Sequence, residues 1–432
     1  MARLRLMHRI IPPGPYTMIV SAVIGLVTGL ACVVLKRLIS MVSHLVMVHF
    51  DGNVDVALLM LPVIGLTLVW LFCRYVVRRP LSLGTERLIA FLREGKYNIE
   101  KRIMIGPIIA NVLTLGFGGS AGAEGPIAVT GAAIASNITR RLGFTPEQVR
   151  LFIGCGAGAG IAAIFKAPVG GMLFTLEILR LPFCTFNVLA LLLGCLASAM
   201  TCYAFTGFTF DVYLQTAEPF EPSAYLALAV FGILAGIYSL YYTHGVRTAR
   251  RIVANIRPQW AKISVAGLAL GAMLLCFPAL YGEGYAVMDR MLNGNITALY
   301  DGTPISIGHG VSHMALIVGG MLLLKGLAVG FTTGAGVAGD FAPTLFAGSL
   351  AGLLFAIAAN TLIGCDLPVG DFALIGMCAV FAAVIRAPFM AMFLTPEMTG
   401  NFTLMLPMVI ASALSYSTVR LIKNKNFYNE SA

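Results

Sequence analysis

Two short stretches decide how this chain folds: Gly118-Gly119-Ser120-Ala121-Gly122-Ala123-Glu124-Gly125-Pro126 and Ala338-Gly339-Asp340-Phe341-Ala342-Pro343. Each sets glycine before a helix start and proline just inside it. Glycine lets backbone come close to a ligand. Proline suits the first helical turn, where an N–H has no partner to lose. A helix should therefore begin near Glu124, and another near Phe341. Such a start presents free N–H groups and the positive end of the helix dipole. Buried in a membrane, that end is an anion site.

The two stretches are copies. Ala121, Gly122 and Pro126 coincide with Ala338, Gly339 and Pro343, and Gly131 then matches Gly348. A second pair is closer still. Gly156, Ala162, Ala163, Lys166, Ala167, Pro168, Met172 and Glu177 match Gly376, Ala382, Ala383, Arg386, Ala387, Pro388, Met392 and Glu397. One duplication accounts for both pairs. Duplicated membrane chains place their site near the midplane, where broken helices of the two halves meet.

Composition puts these stretches in a membrane. Of 432 residues, 58% are apolar and only 11% charged. A soluble domain carries about 25% charged residues. That excludes a soluble enzyme, a disordered chain and a nucleic-acid binder. Apolar runs near 17–48, 55–77, 148–165, 184–206, 222–243, 263–281, 306–330 and 402–422 are long and continuous, unlike the alternation of a β-barrel. Others, around 124–138, 341–360 and 388–398, are broken by Gly and Pro. Broken helices are tolerated only where protein or a water-filled path surrounds them. The expected fold is an all-α polytopic membrane protein of two inverted repeats, about 55–206 and 222–422. Both lie in one transmembrane domain, 17–422, between a 1–16 segment and a 423–432 tail.

The net charge of +10 lies in connections. Basic clusters at Arg3–Arg9, Arg78–Arg102, Arg140–Arg150, Arg247–Lys262 and Arg420–Lys425 are assigned to the cytoplasm. Acidic ones at Asp51, Asp55, Asp211–Glu221, Glu283–Asp301, Asp366 and Asp371 go outside. Both termini are then expected in the cytoplasm, with the chain multi-pass in the cell membrane. The nine cysteines fall mostly inside apolar runs, as small packing residues. His309 and His313 lack the acid partners of a zinc site. No metal, organic cofactor or enzymatic activity is expected.

Glu124 stands out. A carboxylate deep in an apolar stretch marks function by default. Being an anion itself, it can fill the anion site and block it, and protonation should release the site.

GAEGP (122–126) resembles the G-R-E-G-P motif of the CLC family of chloride channels and chloride/proton antiporters. GDFAP (339–343) is similar to that family's G-x-F-x-P. Lys325 ahead of Thr332-Thr333-Gly334, KAPVGGMLFTLE (166–177) and RAPFMAMFLTPEM (386–398) also resemble family segments. The resemblance implies a homodimer in membrane lipid with one chloride pore per subunit, of the type without cytoplasmic regulatory domains. It implies Glu124 as the gating glutamate and Asp340 and Phe341 as backbone donors to chloride. Ser82, in Leu81-Ser82-Leu83-Gly84-Thr85-Glu86, corresponds to the pore serine, although Ser before a helix is also an ordinary N-cap. Tyr428 corresponds to the pore tyrosine, although it lies near a chain end, where a solvated tyrosine is ordinary.

Three departures stand beside the resemblance. Ala123 replaces the motif arginine. Asp340 puts an acid beside an anion path. Ile178 stands where proton-coupled relatives usually carry a glutamate, and Glu177, one position earlier, has its twin in Glu397. The expectation is chloride transport, with proton exchange ahead of a passive channel. Fluoride export is disfavoured by Ser82 and the ordinary G-x-F-x-P.

Overall fold

The computed structural model describes residues 13–48, 56–78, 85–95, 97–210, 212–214, 220–299, 303 and 311–422. The first half runs α1 (Pro13–Val48), α2 (Val56–Leu71), α3 (Thr85–Arg93), α4 (Arg102–Gly116), α5 (Glu124–Leu142), α6 (Pro146–Phe165), α7 (Pro168–Leu173) and α8 (Thr185–Thr206). The second runs α9 (Tyr225–Asn255), α10 (Gln259–Cys276), α11 (Tyr285–Leu292), α12 (Val311–Ala335), α13 (Phe341–Ile363), α14 (Val369–Ile385), α15 (Pro388–Thr399) and α16 (Met405–Ile422). Nine helices among the described residues are long and apolar enough to span a bilayer. Several others are too short, as an interrupted membrane fold requires.

Packing repeats as the sequence does. α5 lies on α6 as α13 lies on α14, and α1 on α8 as α9 on α16. The duplicated glycines are the crossing points. A Cβ on Gly131 would overlap the carbonyl of Gly156, and the reverse holds; Gly348 and Gly376 make the same crossing. Small residues let membrane helices approach this closely. These helices form the centre: 83% of the α6 span and 78% of the α13 span are buried, against 33% for α10. The peripheral helices α1, α8 and α9 turn residues such as Ile19, Leu189 and Leu226 outward, as hydrocarbon-facing surfaces do.

The breaks are duplicated as well. α6 ends at Lys166 and α14 at Arg386, both left-handed, with φ of 55° and 59°. Each is followed by Ala-Pro, and the alanines leave the helical region, which a residue before proline avoids. A new helix starts at each proline and exposes its first N–H groups. These are capped across the halves. Glu397 accepts from Val169 N (3.0 Å) and Gly170 N (2.8 Å) of α7. Glu177 accepts from Phe389 N (3.4 Å) and Met390 N (2.9 Å) of α15. This geometry is the structural use that the twinning of Glu177 and Glu397 suggests.

One expectation is corrected. Arg247–Lys262 was read as a connection, but α9 continues to Asn255. Arg250 has reason to be helical: it reaches Glu86 of α3 (3.2 Å) and Thr333 of α12 (2.8 Å). Tertiary partners carry the helix beyond its apolar stretch.

Glu397→Ala should lower the thermal midpoint of the detergent-solubilised protein by the equivalent of about 1–3 kcal/mol, the cost of orphaning buried donors. Glu177→Ala should do the same, and Gln at either position should cost less, because one acceptor remains.

Candidate anion-binding site

At the centre, two unwound segments pair. Gly122 N donates to Gly339 O (2.9 Å) and Gly339 N to Gly122 O (2.7 Å), an antiparallel bridge between the halves. A Cβ on either glycine would meet the Glu124 carboxylate, so the two glycines leave room for it in this position. The rest of the unwound backbone is also paired. Asn111 Nδ2 donates to Gly122 O (3.3 Å) and Val337 O (3.0 Å), one carbonyl from each half. Val337 N donates to Thr114 Oγ1 (3.2 Å), and Ser120 N to Thr332 Oγ1 (3.1 Å).

Glu124 opens α5 as expected and is 1% exposed. Its side chain turns away from its own helix to the start of α13. Oε1 accepts from Phe341 N and from Ala342 N (3.2 Å). Hydrogen bonds to a charged acceptor contribute roughly 1.5–3 kcal/mol each, and the α13 dipole adds to them. An anion thus occupies the anion position that the sequence implies, and the anion is part of the chain. Oε2 has no hydrogen-bond partner among the described residues.

The α13 start is held rigidly. The Phe341 ring lies edge-on to Phe174 (6.0 Å) and to Phe381 (5.2 Å), one from each half. Asp340 is buried, and its carbonyl accepts from Thr344 N (3.3 Å) and Oγ1 (2.5 Å). The same Thr344 hydroxyl contacts Tyr242 OH (3.4 Å), which brings the middle of α9 to the site. Gly125 packs on Gly339, and Pro126 and Pro343 sit in the first turns of α5 and α13.

Glu124, Gly122, Gly125, Pro126, Gly339, Asp340, Phe341 and Pro343 therefore meet at one place. Ser82 and Tyr428 lie outside the described residues. Three neighbours carry little sequence signal, Asn111, Tyr242 and Glu283, and a fourth, Lys325, was marked only by the family resemblance. Lys325 is fully buried, donates to Ser120 Oγ (2.9 Å) and Leu280 O (3.4 Å), and lies 4.7 Å from the centre of the Phe346 ring. Glu283 Oε1 accepts from Ala123 N (3.0 Å). Only its place between two glycines of a turn, Gly282 and Gly284, could have marked Glu283 in the sequence.

The description "Voltage gated chloride channel" matches residues 64–420, most of the chain. The chain belongs to the CLC family. Among curated CLC proteins, it is 26% identical over 363 residues to the voltage-gated ClC-type chloride channel ClcB of Escherichia coli, covering 80% of this chain and 79% of that one. It is 28% identical over 327 residues to the H(+)/Cl(-) exchange transporter ClcA of Vibrio vulnificus, covering 73% and 66%. Its fold superposes on the crystal structure of a slow cyanobacterial Cl-/H+ antiporter with a TM-score of 0.80 at 24% identity, over 98% of this chain and 97% of the other.

Asn111→Leu tests the pairing of the unwound segments. It should destabilise the protein by about 1–3 kcal/mol through two orphaned carbonyls, read as a lower thermal midpoint, and it should slow anion flux by loosening the Gly122–Gly339 bridge.

Proposed function

We propose that this chain carries chloride across the cell membrane and exchanges it for protons, with Glu124 as the gate. One observation supports this most directly: the Glu124 carboxylate rests on the N–H groups of Phe341 and Ala342. A chloride ion entering from either side competes for those same donors. The carboxylate yields when it is protonated, because a neutral acid gains less from the helix dipole and from the N–H donors. Proton uptake by Glu124 and anion occupancy are then alternatives at one place, which is the coupling that exchange requires. A helix start holds chloride without a fixed positive charge, so the ion is bound weakly enough to leave.

Asp340 and Phe341 contribute backbone to the chloride position, and Ser82 and Tyr428 are our candidates for hydroxyl ligands along the same path. Both termini face the cytoplasm in this reading, and two copies pair, each with its own pore.

A passive chloride channel is the second reading, and Ile178 favours it. The residue is 8% exposed and carries no proton. Exchange then needs water to deliver protons to Glu124 from the cytoplasmic side.

Purified protein in liposomes under an outward chloride gradient separates the two. Exchange predicts uphill proton entry with chloride efflux, and a channel predicts chloride efflux alone. Glu124→Gln should abolish proton movement and remove the pH dependence of chloride flux while the flux itself persists. Wild-type pH dependence in that variant would exclude Glu124 as the gate.

A further inference from the structure

The loop before Glu124 is stitched to a turn from the other half. Gly282 N donates to Gly119 O (3.0 Å), Ser120 Oγ donates to Leu280 O (2.6 Å), and Lys325 holds both Ser120 and Leu280. The turn ends in Glu283, whose carboxylate accepts the N–H of Ala123, next to the gating residue. In the CLC motif that Gly122–Pro126 resembles, an arginine stands at the place of Ala123. Here an alanine takes that place, and an acid comes to its backbone.

Glu283 also lines a recess of about 470 Å³, shared with Tyr281, Tyr285 and Arg290. It therefore sits where the recess and the gate loop meet. The charged and titratable groups around it come from several elements. Glu124 follows Ala123 at the start of α5, Asp340 precedes the Phe341 N–H that Glu124 accepts, Lys325 on α12 binds the same turn at Leu280, and Arg290 on α11 lines the recess. Tyr281 and Tyr285 supply hydroxyls, and α1 brings only Ile39 and Ser43, which do not titrate.

We propose that Glu283 is a second carboxylate of the gate and sets the pH at which Glu124 leaves the anion position. The inference rests on the reading of Glu124 as a proton-linked gate. A charged Glu283 disfavours a second negative charge beside it, so Glu124 takes its proton at higher pH than it would alone. The recess offers Glu283 a route to solvent, through which solution pH would act on it. Glu283 acts through Glu124 as a positioning residue: it accepts from the gate loop at Ala123 N and leaves the donors of α13 to the Glu124 carboxylate.

Glu283→Gln separates charge from architecture, because the amide oxygen still accepts from Ala123 N. Chloride efflux from liposomes is recorded against pH for wild type, E283Q, E124Q and E124Q/E283Q. The midpoint should move to lower pH in E283Q by about one unit, a coupling of about 1.4 kcal/mol. The double variant should match E124Q, because without an ionisable gate Glu283 has nothing to tune. An unmoved or raised midpoint in E283Q overturns the proposal and leaves Glu283 as a backbone acceptor only. A lower flux in E124Q/E283Q than in E124Q also overturns it, by showing a direct role in the anion path. Persistent pH dependence in E124Q instead defeats the gate reading on which both proposals stand. Chloride titration calorimetry on solubilised wild type and E283Q across pH reads the same midpoint without reconstitution.

Discussion

Backbone that leaves a helix inside a membrane must find its own hydrogen-bond partners, since hydrocarbon supplies none. The centre of this protein is organised around that demand. Two segments unwind, one from each half, and each satisfies the other through the Gly122–Gly339 bridge. Asn111, Thr114 and Thr332 take up N–H and C=O groups left over. The first N–H groups of α13 are left for a ligand, and Glu124 supplies one from the chain itself. Structural satisfaction and anion binding are here the same problem, solved by the same donors.

The solution is crossed at every level. Glu124 begins one helix and caps another. Glu177 and Glu397, each near the end of its own helical segment, cap the starts of α15 and α7. Phe341 is clasped by one aromatic ring from each half. Each half therefore holds groups that only the other can complete. This differs from two domains resting against one another, because hydrogen bonds and ring contacts cross between the halves throughout the centre. The lipid-facing helices, by contrast, need only be apolar and long enough.

Much of this was legible in the sequence because it rests on residues with few alternatives. Glycine before a buried helix start, proline inside it and a lone acid between them allow little freedom, and their duplication located both halves of the site. The pairing of Gly131 with Gly156 was not readable, since close approach is a property of two helices and a glycine names only one. The extent of α9 was missed because Arg250 is held by Glu86 and Thr333, far away along the chain. Glu283 looked like one more acid in a polar connection. Its significance comes from a contact 160 positions away.

The crossed caps bear on how the protein is made. Gly170 waits for Glu397, which lies 227 residues further on. At about 5–20 residues per second of synthesis, the start of α7 stands incomplete in the bilayer for on the order of ten to forty-five seconds. During that interval the first half has a helix end that neither lipid nor its own residues can satisfy. It must remain beside the insertion machinery, shielded by other protein or by water, until the second half arrives. A ribosome that stalls between the halves would leave a fragment with a permanent polar defect, a ready mark for membrane proteases. Maturation of this chain is therefore all-or-none in time as well as in structure.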